Sequence, residues 1–310
     1  MVWSYSSSRT FQRCQKQWFI KQHYVSARAK KDPRRRQAYL YSTLQSLPAW
    51  RGSLVDTIIT KNFVLPIDRG SKLPSKNHLL KAAWRLFKHQ LQFAKRNRAW
   101  EEDMTRKKAG DDFASLFPVV YGGDMSDEAI DQMWSDIEQS LINFRESDEL
   151  MSMILDGSKL AAQRPLTFTL DDTNVKMIPD LIVFYDKAPP LIIDWKVQQT
   201  GYHNARRQLA SYALALANCK PHKDFPDSFE VDAVNIRLLE MQLLTNQQRF
   251  YSLSQADIEA SIAYISQTQD DINLATENSP KSLTFDNFPS TNDPSVCERC
   301  NFQKICWEQN

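Results

Sequence analysis

Two strongly apolar runs, each bordered by charged residues, constrain the fold of this chain more than any other feature. They lie in the segment 178–196, IPDLIVFYDKAPPLIIDWK, where Asp186–Pro190 indicates a tight turn. Asp180 opens the first run, while Asp194 and Lys196 close the second. Charged residues are rare in buried strands. We therefore predict a β-hairpin in which Asp180 and Asp194 converge at one end of a sheet.

The order of elements around this hairpin predicts an α/β fold. Strand-like runs are PLTFTL, VKMIPDLIVFY, PLIIDWKV, FEVDAVNIRLLE and MQLLTNQQRFYSL. Helices are predicted for NARRQLASYALALANC, after the third run, and for SQADIEASIAYISQTQDDI, after the last. Strands that alternate with helices in this way favour a mixed β-sheet core flanked by helices.

The residues from about 37 to 156 read as mostly helical. Apolar side chains recur there at helical spacing, in the stretches Leu54–Ile59, Leu79–Leu91 and Ile130–Phe144. The change of texture after Arg164 marks the start of the strand-rich part. We therefore divide the chain into an N-terminal segment (1–36), a helical region (37–163), an α/β core (164–275) and a C-terminal segment (276–310).

The two aspartates and the lysine of the hairpin indicate metal chemistry. Side chains two residues apart on a strand share a face, so Asp194 and Lys196 point the same way. Two adjacent carboxylates repel each other unless a cation bridges them, and their oxygens suit Mg²⁺ or Mn²⁺. Such an ion polarises a phosphate and lowers the pKa of bound water. The alternative is a surface ion pair at the strand ends, and these residues alone leave both readings open.

Taken in order, these elements resemble the PD-(D/E)XK nuclease superfamily. They are Pro179-Asp180, then Asp194-Trp195-Lys196, then Gln208-x-x-x-Tyr212 on the following helix. The last element is typical of the RecB-like branch. The resemblance implies a restriction-endonuclease-like core in which Asp180 and Asp194 hold a divalent metal. It also implies that Lys196 assists the attacking water, and that Gln208 and Tyr212 position the site. Without it, Gln208 and Tyr212 fit any helix packed on a sheet.

One element departs from the superfamily pattern. Relatives often carry G-x-x-x-H on an upstream helix, and the histidine binds metal. The best match here is GSLVD, Gly52–Asp56. The resemblance then implies that Asp56 stands in the place of the histidine, and a carboxylate also ligates Mg²⁺ or Mn²⁺. The alternative is that Asp56 is an ordinary acid on a helix surface.

Three of the five cysteines, Cys297, Cys300 and Cys306, crowd the C-terminal end of the sequence. The opening residues MVWSYSSSRTFQRCQ have no apolar core typical of a signal peptide, so we expect a cytoplasmic protein with reduced thiols. Clustered thiols in that compartment favour metal or redox chemistry. A tetrahedral metal or a cubane cluster needs a fourth thiolate, for which the candidates are Cys14 and Cys219.

One cysteine near the start and C-x2-C-x5-C near the end resemble the Cas4-like iron–sulfur nucleases of the same superfamily. The resemblance implies a [4Fe–4S] cluster that staples the two ends of the chain, with the ligands Cys14, Cys297, Cys300 and Cys306. Because cross-links over long loops restrict the unfolded chain most in the entropic model, such a cluster is expected to be structural. Zn²⁺ on the same thiolates and unrelated reduced cysteines are the alternatives.

Charge does not single out a partner. The net charge is +2, so no global basic field indicates nucleic acid. Basic residues cluster at 30–36 and 95–108, and either cluster alone also fits a solvated surface. Aromatic side chains near basic groups are candidates for stacking on bases or for the core; they are Trp18, Trp100, Trp195 and Tyr202.

The resemblance implies a Mg²⁺- or Mn²⁺-dependent deoxyribonuclease of the Cas4/RecB-like type. Its expected substrate is single-stranded DNA or a DNA end, its expected setting is DNA repair, phage defence or a CRISPR system, and no membrane partner is expected. One alternative is a nuclease-fold subunit that binds nucleic acid or a partner without cutting. Another is a nuclease that works only inside a larger assembly, such as a helicase complex, with the helical region as the partner surface.

Overall fold

The computed structural model describes residues 2–28, 32–102, 104–197, 205–227, 229–277 and 284–307. Its strands are β1 (Val2–Trp3), β2 (Lys159–Ala162), β3 (Leu166–Leu170), β4 (Thr173–Met177), β5 (Leu181–Phe184), β6 (Leu191–Lys196), β7 (Arg237–Gln242) and β8 (Gln247–Tyr251). They form a five-stranded sheet in the order β2-β5-β6-β7-β8 and a three-stranded sheet in the order β1-β4-β3.

Strand β6 is the middle strand of the larger sheet. It pairs antiparallel with β5 in the predicted hairpin, where Leu181 faces Ile193 and Val183 faces Leu191. On its other side it pairs in parallel with β7, which places Asp194 level with Glu240. Strand β8 is antiparallel to β7, and β2 is antiparallel to β5. The prediction of an α/β fold with a mixed sheet is therefore confirmed.

Several strand-like runs are broken where the sequence predicted continuity. VKMIPDLIVFY divides into β4 and β5, which belong to different sheets, because Pro179 has no N–H to continue a ladder. FEVDAVNIRLLE contributes only its last residues to β7. MQLLTNQQRFYSL divides between β7 and β8 at Asn246, whose φ of 53° turns the chain. The edge strand β2 was not predicted, because its four residues are too few to show an alternation of apolar and polar side chains.

The helices are α1 (Tyr5–Arg13), α2 (Gln15–Phe19), α3 (Pro33–Ser42), α4 (Leu47–Ile59), α5 (Leu65–Asp68), α6 (Lys76–Lys95), α7 (Arg106–Ala109), α8 (Phe117–Tyr121), α9 (Asp127–Glu146), α10 (Asp148–Leu155), α11 (Arg206–Asn218), α12 (Gln255–Glu277), α13 (Pro294–Glu298) and α14 (Gln303–Trp307). Serine side chains cap the three longer helices of the helical region, since Ser46, Ser75 and Ser126 each accept a backbone N–H from three residues further on. Among the described helices, none combines the length and apolar character that crossing a membrane requires.

Helices cover both faces of the five-stranded sheet. Leu181 and Val183 of β5 pack in one apolar cluster with residues of α4, α6 and α9, whereas Ile182 and Phe184 point the other way and pack with α11 and α12. A strand buried on both faces reads as continuously apolar, which explains the two runs of the hairpin. The helical region and the sheet thus share one hydrophobic core.

The two ends of the chain meet in a separate aromatic cluster. Phe19 stacks on Phe288 with 4.6 Å between ring centroids, and both side chains are buried. The backbone N–H of Lys16 donates to the carbonyl of Pro289 at 3.1 Å. Apolar packing therefore brings the N-terminal and C-terminal segments together around the cysteines.

Candidate active site

Strand β6 carries the first two residues of the site. Asp194 and Lys196 extend from one face of the strand and form an ion pair, with 2.6 Å between Lys196 Nζ and Asp194 Oδ2. Asp194 is only 1% exposed. A carboxylate buried so deeply needs a compensating charge or hydrogen bonds, and the Lys196 amine supplies the charge.

Asp180 lies at the mouth of the hairpin, directly before β5. Its Oδ2 accepts the backbone N–H of Trp195 at 3.0 Å. Because Trp195 lies between Asp194 and Lys196 on β6, this bond places the carboxyl of Asp180 next to both of them. The antiparallel register makes this contact, because Leu181 faces Ile193 and the residues before and after this pair lie level with each other. The structure thus brings together the three residues that the hairpin predicted.

Helix α4 delivers Asp56 to the same place. Asp56 Oδ1 accepts the indole N–H of Trp195 at 3.1 Å and the side-chain amide of Gln163 at 2.8 Å. The same Gln163 Nε2 donates to Asp180 Oδ1 at 3.0 Å. Asp56 is therefore no ordinary surface acid, because one amide bridges its carboxyl to that of Asp180.

Sequence reasoning missed Gln163. It lies in the connection between β2 and β3, where its φ of 49° places it in the left-handed region. A non-glycine residue there is uncommon and marks a locally constrained backbone. The stretch AAQRP carries no motif, and the only signal was a polar side chain directly after a short apolar run.

Helix α11 lies over the face of the sheet that carries Asp194. Gln208 Nε2 is 3.5 Å from Asp194 Oδ1 and donates to the Tyr212 hydroxyl at 2.7 Å. The spacing of four residues puts both side chains on one side of the helix. Gln208 contacts the carboxyl of Asp194 and Tyr212 contacts Gln208, so the pair supports the orientation of Asp194 from the side of α11.

A further buried acid, Glu240, was also missed by the sequence. It lies on β7 beside Asp194 and is 0% exposed. Its carboxylate accepts hydrogen bonds from Gln242 Nε2 at 2.6 Å and from the Tyr251 hydroxyl at 3.0 Å, and pairs with Arg249 at 3.6 Å. Glu240 adds negative charge beneath the site, although its run RLLEMQ looks like an ordinary strand.

Burial sets the protonation of the acidic cluster. It raises the pKa of Asp180 well above the ordinary value, and the charges of Asp194 and Asp56 raise it further against the opposing effect of Lys196. Burial also raises the pKa of Asp194 and of Asp56. For Lys196, burial favours the neutral amine, but Asp194 and Asp180 outweigh it and raise the pKa. The three acids therefore compete for the one cation among them, and Lys196 is protonated at neutral pH.

These side chains line a cavity of about 580 Å³. Its wall includes Asp56, Gln163, Asp180, Trp195 and Lys196, together with the first turns of α4. A larger cavity of about 780 Å³ lies at the opposite end of the hairpin, around the turn 186–190, away from the carboxyls. The acidic cluster therefore opens into the smaller of these two cavities.

The family of the chain follows from its sequence profile. The profile of the PD-(D/E)XK nuclease superfamily matches residues 2–307. The chain belongs to this superfamily. Membership indicates a nuclease-type hydrolase. Of the residues that fit the superfamily's signature, Asp180 and Lys196 line the cavity, and Asp194 is buried behind them in an ion pair with Lys196.

Two solved structures are similar to this chain. One is a candidate exonuclease from Eubacterium rectale, with 12% identity and a TM-score of 0.32 over 78% of this chain and 84% of that one. The other is SSO0001, with 15% identity and a TM-score of 0.30 over 73% of this chain and 96% of that one. TM-scores this low do not by themselves identify a fold or an activity. A comparison with curated proteins finds no match.

The cysteines form a second group, lining a cavity that includes none of the carboxyls of the acidic cluster. Four of them line one small cavity of about 30 Å³, namely Cys14, Cys297, Cys300 and Cys306. Cys219 instead ends α11 and packs with the apolar residues under the sheet. Burial raises the pKa of Cys300 to about 11. Of the two candidates for the fourth thiol, the structure therefore places Cys14 with the C-terminal three.

Neither group stands ready as a metal site. Among the described residues, no three thiol, imidazole or carboxyl side chains are arranged to hold a metal ion. In the acidic cluster, the ammonium group of Lys196 and the amide of Gln163 are the donors to the carboxyls, where a metal ion would otherwise compensate their charge. The donor chemistry nonetheless fits, since hard oxygens suit a divalent ion and four thiols suit a soft metal.

The aromatic side chains that were candidates for stacking are mostly buried. Trp18 is 0% exposed and Trp195 is 5% exposed, so neither offers a ring face to a base. Trp100 packs edge-on against Tyr41. Tyr202, like the basic residues Lys30 and Lys31, lies outside the described residues.

Proposed function

We propose that this chain is a divalent-metal-dependent nuclease that hydrolyses the phosphodiester bonds of DNA. The observation that carries the proposal is the cluster of Asp180, Asp194 and Lys196 at one cavity, lined by Asp180 and Lys196, in a chain of the nuclease superfamily. Single-stranded DNA and DNA ends are the proposed substrates, because the Gln208-x-x-x-Tyr212 element favours the RecB-like branch.

Asp180, Asp194 and Asp56 are the proposed holders of Mg²⁺ or Mn²⁺. Burial and mutual repulsion raise the pKa of Asp180, which means that the cluster is short of positive charge. A bound divalent ion would polarise the scissile phosphate and lower the pKa of a water molecule. Asp56 replaces the histidine that relatives carry, so all three proposed ligands are carboxylates and favour a hard cation.

Lys196 acts through its positive charge. Since Asp194 and Asp180 raise its pKa, it remains protonated at neutral pH and donates hydrogen bonds rather than accepting a proton. A fixed cation at the cavity wall stabilises the negative charge that develops on the phosphate during attack. Gln208 and Tyr212 do not reach this wall in the structure, and they hold Asp194 in orientation from behind.

The thiols of Cys14, Cys297, Cys300 and Cys306 are the proposed ligands of a structural [4Fe–4S] cluster. Their shared cavity lies where the two ends of the chain pack together, and these ends are far in sequence from the hairpin of β5 and β6. Metal-binding free energy would then add to folding free energy. This assignment supports the Cas4-like branch, and it makes a role in a DNA-processing or defence complex part of the same proposal.

A second candidate function is binding of nucleic acid without cleavage, inside a larger assembly. The observation that favours it is Gln163, whose neutral amide bridges Asp56 and Asp180 where a divalent ion would otherwise lie. A strong amide bridge would compete with the metal. The two functions differ in one outcome, which is whether the purified chain cuts DNA when a divalent ion is added.

The test is cleavage of end-labelled single-stranded and duplex DNA, with RNA alongside, in Mn²⁺ or Mg²⁺. We expect cleavage of DNA by the wild type and a loss of roughly 100- to 1,000-fold in Lys196→Ala, as when one transition-state donor is removed. Lys187→Ala is the matched control, since Lys187 is exposed in the turn at the other end of the hairpin. Equal cleavage by wild type and Lys196→Ala would rule out the assignment. Salt-sensitive DNA binding without cleavage would favour the second function.

A further inference from the structure

Arg51 joins three separate elements close to the cavity. It lies on α4, and its Nη1 forms an ion pair with Asp136 of α9. Its Nη2 donates to the backbone carbonyl of Val197 at 2.7 Å. The side chains of Arg51 and Asp136 are only 11% and 7% exposed. One guanidinium thus ties the helical region to the end of β6.

These contacts connect the helix that carries Asp56 with the strand that carries Lys196. Val197 directly follows Lys196, and Arg51 precedes Gly52, Ser53 and Asp56, which line the cavity from α4. The bond from Arg51 to Val197 therefore spans from the helix that carries Asp56 to the strand that carries Lys196. On the far side, Asp136 is itself held by the side-chain amide of Gln132 at 2.8 Å.

Stability alone does not explain this pair. Burying two charges costs about as much as their attraction returns, and apolar replacements of similar volume are often neutral or stabilising. Arg51 also buries its Nε with no hydrogen-bond partner in the described part of the chain, a further cost. What an arginine supplies, and apolar residues do not, is a planar fork that fixes direction as well as distance.

We propose that Arg51 and Asp136 are positioning residues, which hold α4 against the end of β6 so that Asp56 and Lys196 face the same cavity. The inference rests on the proposed metal-dependent cleavage. We call the Arg51–Asp136 ion pair, with its bond to the Val197 carbonyl, the clamp. It gives the helical region a role in the reaction, because Asp136 lies on α9 and fixes the position of Arg51.

Variants of the clamp separate positioning from stability. Arg51→Met/Asp136→Leu replaces the ion pair with apolar volume, so it is expected to keep the wild-type melting temperature within a few degrees. Without the bond to Val197, the Mn²⁺ concentration for half-maximal cleavage is expected to rise about 10- to 100-fold, as when the support of a metal ligand is removed. Arg51→Lys keeps a cation opposite Asp136 but loses the second arm of the fork, and we expect the same shift.

The matched control is Lys76→Met/Glu146→Leu. This pair joins α6 to α9 in the same helical region, but its side chains are 40% and 54% exposed and do not line the cavity. It is expected to leave the Mn²⁺ dependence unchanged. Mn²⁺ affinity measured by calorimetry gives a second readout that does not need turnover.

The outcomes distinguish this inference from the proposed function. A wild type that neither cleaves DNA nor binds Mn²⁺ would overturn both. A wild type that cleaves, with clamp variants that share its Mn²⁺ dependence, would overturn the positioning role alone. Should the double variant fail to fold, Arg51→Lys carries the test, and an unchanged Mn²⁺ dependence in that variant would also overturn the role.

Discussion

Gln163 and Asp180 are joined twice. The backbone N–H of Gln163 donates to the carbonyl of Asp180 at 3.0 Å, and its side-chain Nε2 donates to Asp180 Oδ1 at 3.0 Å. The backbone bond fixes where Gln163 stands, and the left-handed φ of 49° aims its side chain at the acid. A neutral amide therefore meets a carboxyl whose pKa burial has already raised. Any divalent ion bound by Asp180 has to compete with this amide.

Changing Gln163 to glutamate is expected to tighten metal binding. Gln163→Glu adds a fourth carboxylate to the cluster, between Asp56 and Asp180, so the metal-free protein gains like-charge repulsion and the metal-bound form gains an oxygen ligand. We expect a lower melting temperature in EDTA, a larger rise on adding Mn²⁺, and a higher Mn²⁺ affinity by calorimetry. Gln163→Met is the control, because it removes the amide without adding charge. A glutamate variant with weaker Mn²⁺ affinity than the methionine variant would contradict the prediction.

Removing the charge of Asp180 is expected to stabilise the metal-free protein while abolishing metal-dependent cleavage. Asp180→Asn keeps an oxygen that accepts the Trp195 N–H, but it no longer buries a carboxylate beside Asp194. At neutral pH in EDTA, the melting temperature should rise by roughly 2–4 °C, the shift that about 1 kcal/mol gives in a large domain. Differential scanning fluorimetry with and without Mn²⁺ measures it. A fall in melting temperature in EDTA would show that the cluster is not strained by charge.

The gain from Asp180→Asn is expected to depend on pH. Burial, followed by the charge of Asp194, raises the pKa of Asp180 in the folded state. A folded-state pKa above the unfolded-state value means that the fold stabilises the protonated acid, so its contribution is present below about pH 4 and lost as pH rises through the raised pKa. In EDTA, the difference in melting temperature between variant and wild type should therefore be small near pH 4 and grow toward neutral pH. A difference that does not change with pH would argue against the raised pKa.

Loss of one cluster cysteine is expected to remove iron and lower stability without unfolding the contact between the chain ends. Cys306→Ser should lose the bound iron of anaerobically purified protein, about four atoms per chain if a cubane is present. The stacked pair Phe19 and Phe288 should still hold the ends together, so the melting temperature falls but a cooperative transition remains. Cys219→Ser is the matched control, since Cys219 lies with the apolar residues under the sheet. Elemental analysis of iron in each variant tests this prediction. One zinc per chain in the wild type, instead of iron, would show that the thiols hold Zn²⁺ and not a cubane cluster.

The β5–β6 hairpin is the part of the site that the local sequence pattern predicts. Two apolar runs around a short turn determine antiparallel pairing, and the pairing determines that Asp180 comes level with the end of β6. The spacing of two residues determines that Asp194 and Lys196 share a face. These relationships follow from covalent geometry over a few residues, and the sequence predicted them.

Other parts of the site depend on packing between distant segments. Glu240 reaches Asp194 only because β7 pairs in parallel with β6, and the run RLLEMQ gives no sign of this neighbour. Gln163 reaches Asp56 across 107 positions of the chain. No local pattern records such contacts, because they are set by how α4 and the β2–β3 connection dock on the sheet.

The sequence by itself determined the α/β class, the hairpin with its two acids and lysine, and the C-x2-C-x5-C spacing of three thiols, since each follows from the periodicity and spacing of neighbouring residues. The residue pattern left Asp56 and Cys14 open, although the family resemblance implied both; the tertiary structure placed Asp56 in the acidic cluster and Cys14, rather than Cys219, with the other thiols. Only the tertiary structure showed that Gln163 bridges Asp56 to Asp180. The physical reason is that these contacts come from burying a shared core between segments far apart in the chain, where many side chains settle the docking together.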